Sequence, residues 1–150
     1  MTKLMTIDSV FVRDFSQLGL LSTFLSLSPR VQTSCTACDC IKIPPGIATH
    51  HGPLQGKLYM ASLTNDEMDK LFVLGLEFKG LTFDDSTVLY IARRDGTILI
   101  SGDSFVCKVA ASLKITVHDY LWVFVQMVSS GLLSESEALA KYNQLVTSVN

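Results

Sequence analysis

The chain has 150 residues, 48% of them apolar and 17% charged, with a formal net charge of −2. That length suits one domain with a sizeable core, taken as residues 1–150, and the charge balance excludes a broad basic field; any nucleic-acid contact must come from a local patch. The longest apolar run, YLWVFVQMV at 120–128, falls far short of the roughly 20 residues that span a bilayer, so no membrane partner is expected. MTKLMTIDSVFV at the start lacks the apolar run and small-residue cleavage site of a signal peptide. The expected compartment is therefore the cytoplasm, with Cys35, Cys38, Cys40 and Cys107 as thiols.

Strand and helix signals alternate along the chain. KLMTIDSVFV is β-rich and ends near Asp8. RDFSQLGLLSTFLSL then spaces Phe15, Leu18, Leu21 and Leu25 for one helical face. RVQT is a short extended piece, and SCTACDCIKI reads as a helical turn or two closed by Pro44-Pro45-Gly46. PPGIATHHGPLQGK at 44–57 is loop-like, and KLYMASL is a strand. Thr64 with Glu67, Thr82 with Asp85, and Ser134 with Glu137 are capping boxes. They open helices running to about Phe78, through Arg94 to a stop at Gly96, and to about Val146. Between the last two, TILIS is an apolar strand followed by Asp103, SFVCKVAASL a helix and ITVHD a short strand. YLWVFVQMVSS is a helix stopped by Gly131, apolar nearly all round and so either deeply buried or part of an interface. This alternation predicts an α/β fold, a three-layer α/β/α arrangement with a mainly parallel central sheet. Such sheets place their ligands at the carboxyl ends of the strands.

Two aspartates, Asp8 and Asp103, fall at or just after predicted strand ends, Asp85 in a helix's first turn, and Asp39 in the short helix within SCTACDCIKI. Unit charges about 4 Å apart repel by on the order of 4 kcal/mol at an effective dielectric near 20. Four carboxylates meeting in one crevice therefore call for a cation, and an all-oxygen donor set selects Mg²⁺ or Mn²⁺. Taken singly, Asp85 is a capping residue, Asp103 an N-cap, Asp8 a turn residue and Asp39 part of a solvated helix face. A zinc site from Cys35, Cys38 and Cys40 with His50 or His51 lacks the usual second ligand pair, and small cysteines packing a helix is the preferred reading. His50, His51 and His118 are read as surface or loop residues without chemistry.

The segment GLTFDDSTVLYIARRDGTILISGDSFVCKVAASLKITV has an aspartate opening a helix, then an apolar strand ending in Ser-x-Asp, then a helix and a short strand. TIDSVFVRDFSQLGLL has a strand, Asp-Ser and a helix. In these features the chain resembles the PIN-domain ribonucleases, which include the toxins of bacterial toxin–antitoxin pairs. VFVQMVSSGLLSESEALAKYNQL is similar to the C-terminal helices of one PIN-like subgroup. The resemblance implies a PIN-like fold and a metal-dependent ribonuclease. Asp8 matches its first-strand carboxylate, Asp85 its helix-opening one, and Asp103 the aspartate of Ser/Thr-x-Asp, with Ser101 as the hydroxyl member. The 18-position separation of Asp85 and Asp103 is in keeping with the family. Asp39 stands where the family usually has glutamate, and Asp84 is the neighbouring alternative to Asp85, expected to point elsewhere around the helix.

The resemblance further implies Mg²⁺ or Mn²⁺ held by Asp8, Asp85 and Asp103, with Asp39 assisting. Ser9 and Ser101 are candidates to bond the carboxylates or a phosphate oxygen, and Arg13, Arg93 and Arg94 to meet substrate phosphates. The implied partners are RNA, an antitoxin protein and a second copy of the chain in a homodimer. A PIN-like binding module without catalysis is a second reading, supported by aspartate at position 39 and the low basic charge. A phosphoacceptor receiver domain is a third. It is disfavoured because Asp84-Asp85 begins a helix rather than ending a strand, and no lysine follows ITVHD.

Overall fold

The structure is a computed structural model that describes residues 4–28, 30–34 and 58–148. Within these residues the chain runs β1 (Met5–Ile7), α1 (Ser9–Gln17), α2 (Leu21–Leu25), β2 (Val31–Thr33) and β3 (Leu58–Met60). It continues α3 (Asn65–Glu77), α4 (Phe83–Asp95), β4 (Ile98–Ile100), α5 (Ser104–Ser112), β5 (Val117–His118), α6 (Tyr120–Ser129) and α7 (Glu135–Ser148). The expected helix over SCTACDCIKI, with Asp39, Cys35, Cys38 and Cys40, lies outside the described residues, as do His50 and His51.

The strands form one sheet in the order β3-β2-β1-β4-β5, every neighbouring pair parallel. The architecture is three-layer α/β/α. Sheets of this kind are covered on both faces, so their central strands are largely apolar, and β1 and β4 are buried at every position, Thr6 with its hydroxyl bonded to Thr97. On one face Met5, Ile7, Val31, Ile98 and Ile100 join side chains of α1, α2, α6 and α7 in a single core. On the other, Leu99 packs with residues of α3, α4 and α5. Strand periodicity thus divides Ile98 and Ile100 from Leu99 between two cores.

All three capping boxes read from the sequence are present: Thr64 with Glu67, Thr82 with Asp85, and Ser134 with Glu137. Gly96 closes α4 in the left-handed conformation, φ 65°. The first helix departs from expectation. It begins at Ser9, capped by Asp8, rather than near Arg13. It then breaks around Gly19, whose φ of 72° favours a residue without a side chain, so the expected single helix is two. Among the described residues no helix is long and apolar enough to cross a membrane.

Candidate functional site

Strand order reverses between β1 and β4: the chain builds outward from β1 through β2 to β3, then returns to the other side of β1. In open parallel sheets the carboxyl ends of the strands at such a switch point flank a crevice. Here Asp8 follows β1 and Asp103 lies just past β4. Both line a cleft of about 540 Å³ together with Asp14, Asp85, Asp119, Arg13, Tyr120 and Gly102. Leu121, Leu145 and Val146 form an apolar wall.

Local chemistry fixes each carboxylate. A strand ending in aspartate and followed at once by a helix makes that aspartate an N-cap, and this occurs three times around the cleft. Asp8 Oδ1 accepts from Phe11 N at 2.7 Å. Asp103 Oδ1 accepts from Phe105 N at 2.8 Å and Val106 N at 3.2 Å. Asp119 Oδ1 accepts from Trp122 N at 3.1 Å. The starts of α1, α5 and α6 therefore offset part of the negative charge through their unpaired N–H groups. Asp85 Oδ2 accepts from Thr82 N at 3.0 Å in its capping box.

Asp8 is only 4% exposed. Loss of water pushes its carboxyl up to about 7, against the lowering effect of the Phe11 bond, and the charges of Asp84, Asp85 and Asp14 push the same way. Burial likewise raises Asp85, opposed by its Thr82 bonds and reinforced by Asp103 and Asp84. The Tyr120 hydroxyl is raised by burial and by Asp8 and Asp14, and it donates to Asp14 Oδ2 at 3.4 Å.

The sequence-predicted residues divide. Asp8, Asp85, Asp103 and Arg13 meet at the cleft, where Arg13 pairs with Asp14 at 3.2 Å. Ser9 donates to a carboxylate, but that carboxylate is Asp84. The Ser101 hydroxyl is fully buried and accepts from Asp103 N at 3.2 Å, which shapes the turn. Arg93 and Arg94 do not flank the cleft. They end the helix that Asp84 and Asp85 begin, about 13 Å away along its axis at 1.5 Å per residue. There Arg94 pairs with Glu67 at 3.0 Å and Asp95 at 2.9 Å, lining a separate cavity with Leu4 and Thr97 at the amino ends of the strands. Those ion pairs account for Arg94, and the carboxyl end of the helix dipole favours both arginines.

Asp84, as expected, points elsewhere around the helix from Asp85. It faces the sheet and accepts from Ser9 N at 3.1 Å, Ser9 Oγ at 2.8 Å and Ser34 Oγ, bridging the ends of β1 and β2. Asp14, Asp119 and Tyr120 are further cleft residues. Asp119 carried a readable signal, since it follows ITVHD's strand and precedes a helix just as Asp8 and Asp103 do. Cys107 is a free thiol, pushed up chiefly by burial and set against Ser101 O at 3.6 Å, which opposes thiolate chemistry.

The donor chemistry fits a hard cation. Asp8, Asp85 and Asp103 each commit one oxygen to backbone N–H groups. The second oxygen of each carries no hydrogen bond among the described residues. Among the described residues no three acidic, His or Cys side chains are drawn tightly enough together to hold an ion; the carboxylates share a cleft rather than a point. No known protein family matches the chain, and no functionally characterised protein matches it either.

Proposed function

We propose that the cleft is the active site of a cytoplasmic, Mg²⁺- or Mn²⁺-dependent PIN-like endoribonuclease that acts as the toxin of a toxin–antitoxin pair. One observation carries the reading. Asp8, Asp85 and Asp103, far apart in sequence, line one cleft at the sheet's switch point. Asp8, Asp85 and Asp103 would supply oxygen ligands directly or through water, since no three acidic side chains among the described residues are gathered around one point, with Asp39 assisting. A bound ion of this kind supplies Lewis acidity and charge neutralisation at a phosphodiester. In the metal-free protein Asp8 is held up to about 7, so uptake of the ion would release its proton. Arg13 is the cleft's cation for a phosphate, while Leu121, Leu145 and Val146 exclude water from one side.

The test is Mg²⁺/Mn²⁺-dependent cleavage of total RNA by the wild-type protein, beside Asp103→Asn. The reading expects cleavage that the substitution lowers by at least 100-fold. Equal cleavage by both proteins, or none by either, overturns it.

A catalytically silent binding module is the second reading, favoured by the scarcity of cations at the cleft. Among the described lining residues Arg13 alone is cationic, and it is paired with Asp14. Calorimetry separates the two. Mn²⁺ binding that Asp8→Asn removes supports the nuclease, and no binding by either protein supports the module.

A further inference from the structure

A nucleic-acid site with one cation must hold its ligand by something other than phosphate pairing. Beside the acidic cleft, the structure offers an aromatic stack. The rings of His118 and Trp122 lie with centroids 4.1 Å apart and planes within 4° of parallel. Each is held by regular structure. The carbonyl of His118, at the end of edge strand β5, accepts from Ser101 N at 3.1 Å. Trp122, in the first turn of α6, donates its backbone N–H to Asp119, which itself lines the cleft. Both residues are only partly buried. The pair is thus part-exposed, with Trp122 resting on the core, and flanks in sequence Asp119 of the acidic wall.

Unpaired bases stack on such surfaces because every base has a π-face, and the attraction needs no positive charge. We propose that the His118–Trp122 pair is a base-stacking platform that seats an unpaired nucleotide of a single-stranded nucleic acid beside the aspartate cleft. The inference rests on the nuclease reading for its ligand class. It adds a binding site outside the carboxylates, and it restricts the substrate to unpaired segments. A base in a duplex has both faces covered and cannot add to the stack.

Trp122 is the sole tryptophan of the chain, so its fluorescence reports the platform alone. Asp103→Asn protein is titrated with a uridine decamer, with a decamer of the same length and phosphate count lacking bases, and with a blunt RNA duplex. Wild-type protein is assayed for cutting the uridine decamer. The platform expects quenching by the uridine decamer only. It expects His118→Ala to weaken binding about tenfold without lowering the thermal midpoint by more than a few degrees. His118→Phe, which keeps a ring and leaves Trp122 as the reporter, should retain most of the affinity and serves where His118→Ala perturbs folding. Equal quenching by the baseless decamer overturns the platform, as does cleavage of the uridine decamer without quenching, which leaves the nuclease reading standing. Quenching without cleavage of either the uridine decamer or total RNA supports the platform and removes the nuclease. Neither signal removes both.

Discussion

Asp84 and Asp85 are adjacent in the first turn of α4, and the structure gives them different tasks. Neighbours on a helix point about 100° apart. The rotation of α4 is set by its buried residues Val88, Leu89 and Ala92, which turns Asp84 toward the ends of β1 and β2 and Asp85 toward the cleft. Sequence spacing found the acidic pair, but not the assignment of Asp84, because that depends on how the helix rolls onto the sheet. A clamp by Asp84 and a cleft ligand at Asp85 predict opposite signatures. Asp84→Ala removes the acceptor of three hydrogen bonds from Ser9 and Ser34 and should cost about 1–3 kcal/mol, read from urea denaturation. Asp85→Asn keeps a side-chain oxygen for Thr82 and relieves repulsion from Asp103 and Asp84. It should leave stability within about 0.5 kcal/mol while lowering Mn²⁺ affinity. Equal stability losses in the two variants would mean that the two aspartates share one structural role.

Among the elements, the legible ones are those whose ends are written in capping chemistry. Three Ser/Thr-x-x-Glu/Asp boxes located α3, α4 and α7 to within two residues, because the cap and its partner sit in one local stretch. The start of α1 was hidden. Val10, Phe11 and Val12 favour strands by propensity, yet Asp8 caps at Phe11 N, and Phe11 and Phe15 stack at 4.1 Å against Phe24 in the core. Tertiary packing overrides propensity there. The turn from β4 into α5 is a second place where distant contacts decide. A Cβ on Gly102 would stand 3.1 Å from Tyr120 Cζ and 3.3–3.4 Å from two other ring carbons. Tyr120 packs edge-on against Phe11 at 5.2 Å and Phe15 at 5.8 Å, so its ring has little freedom to yield. Gly102→Ala should therefore destabilise the fold by about 1–3 kcal/mol and shift Asp103 with the turn. A melting curve unchanged from wild type would show that Tyr120 swings clear at no cost.

At the scale of the molecule, α6 and α7 leave an apolar groove of about 300 Å³ lined by Val125, Val128 and Leu139, with Leu121 at the junction with the cleft. α6 buries Val123, Phe124 and Met127 but leaves Leu121 52% and Val125 51% exposed, so the helix expected to be either deeply buried or part of an interface has one buried and one exposed apolar face. Pairing of two copies across this surface is the proposed homodimer. Val125→Glu should convert dimer to monomer in light scattering at micromolar concentration, and a wild-type monomer there would end the proposal. Strand order was beyond the sequence, since periodicity identifies strands and not their neighbours; yet that order is what places Asp8 and Asp103 side by side. The placement has a pH signature. In the metal-free protein, below about pH 4 the Asp8 proton is bound whether the chain is folded or not, and it leaves stability unchanged. Between about 4 and about 7 the unfolded chain has released it while the folded chain, with Asp8 raised to about 7, keeps it. Folding therefore weakens as pH rises through that window and levels off above it. The carboxylate is buried, so the loss should reach roughly 2–4 kcal/mol. Denaturation in EDTA should show that decline, and Asp8→Asn, which still caps α1, should flatten it. Mn²⁺ should act in the opposite direction. A cation taken up by the folded cleft stabilises by mass action, and it binds carboxylates only after the proton has left, so the thermal midpoint should rise clearly at pH 8 and barely at pH 5. A midpoint indifferent to Mn²⁺ at pH 8 would mean that these aspartates, though gathered along one cleft, hold no ion between them.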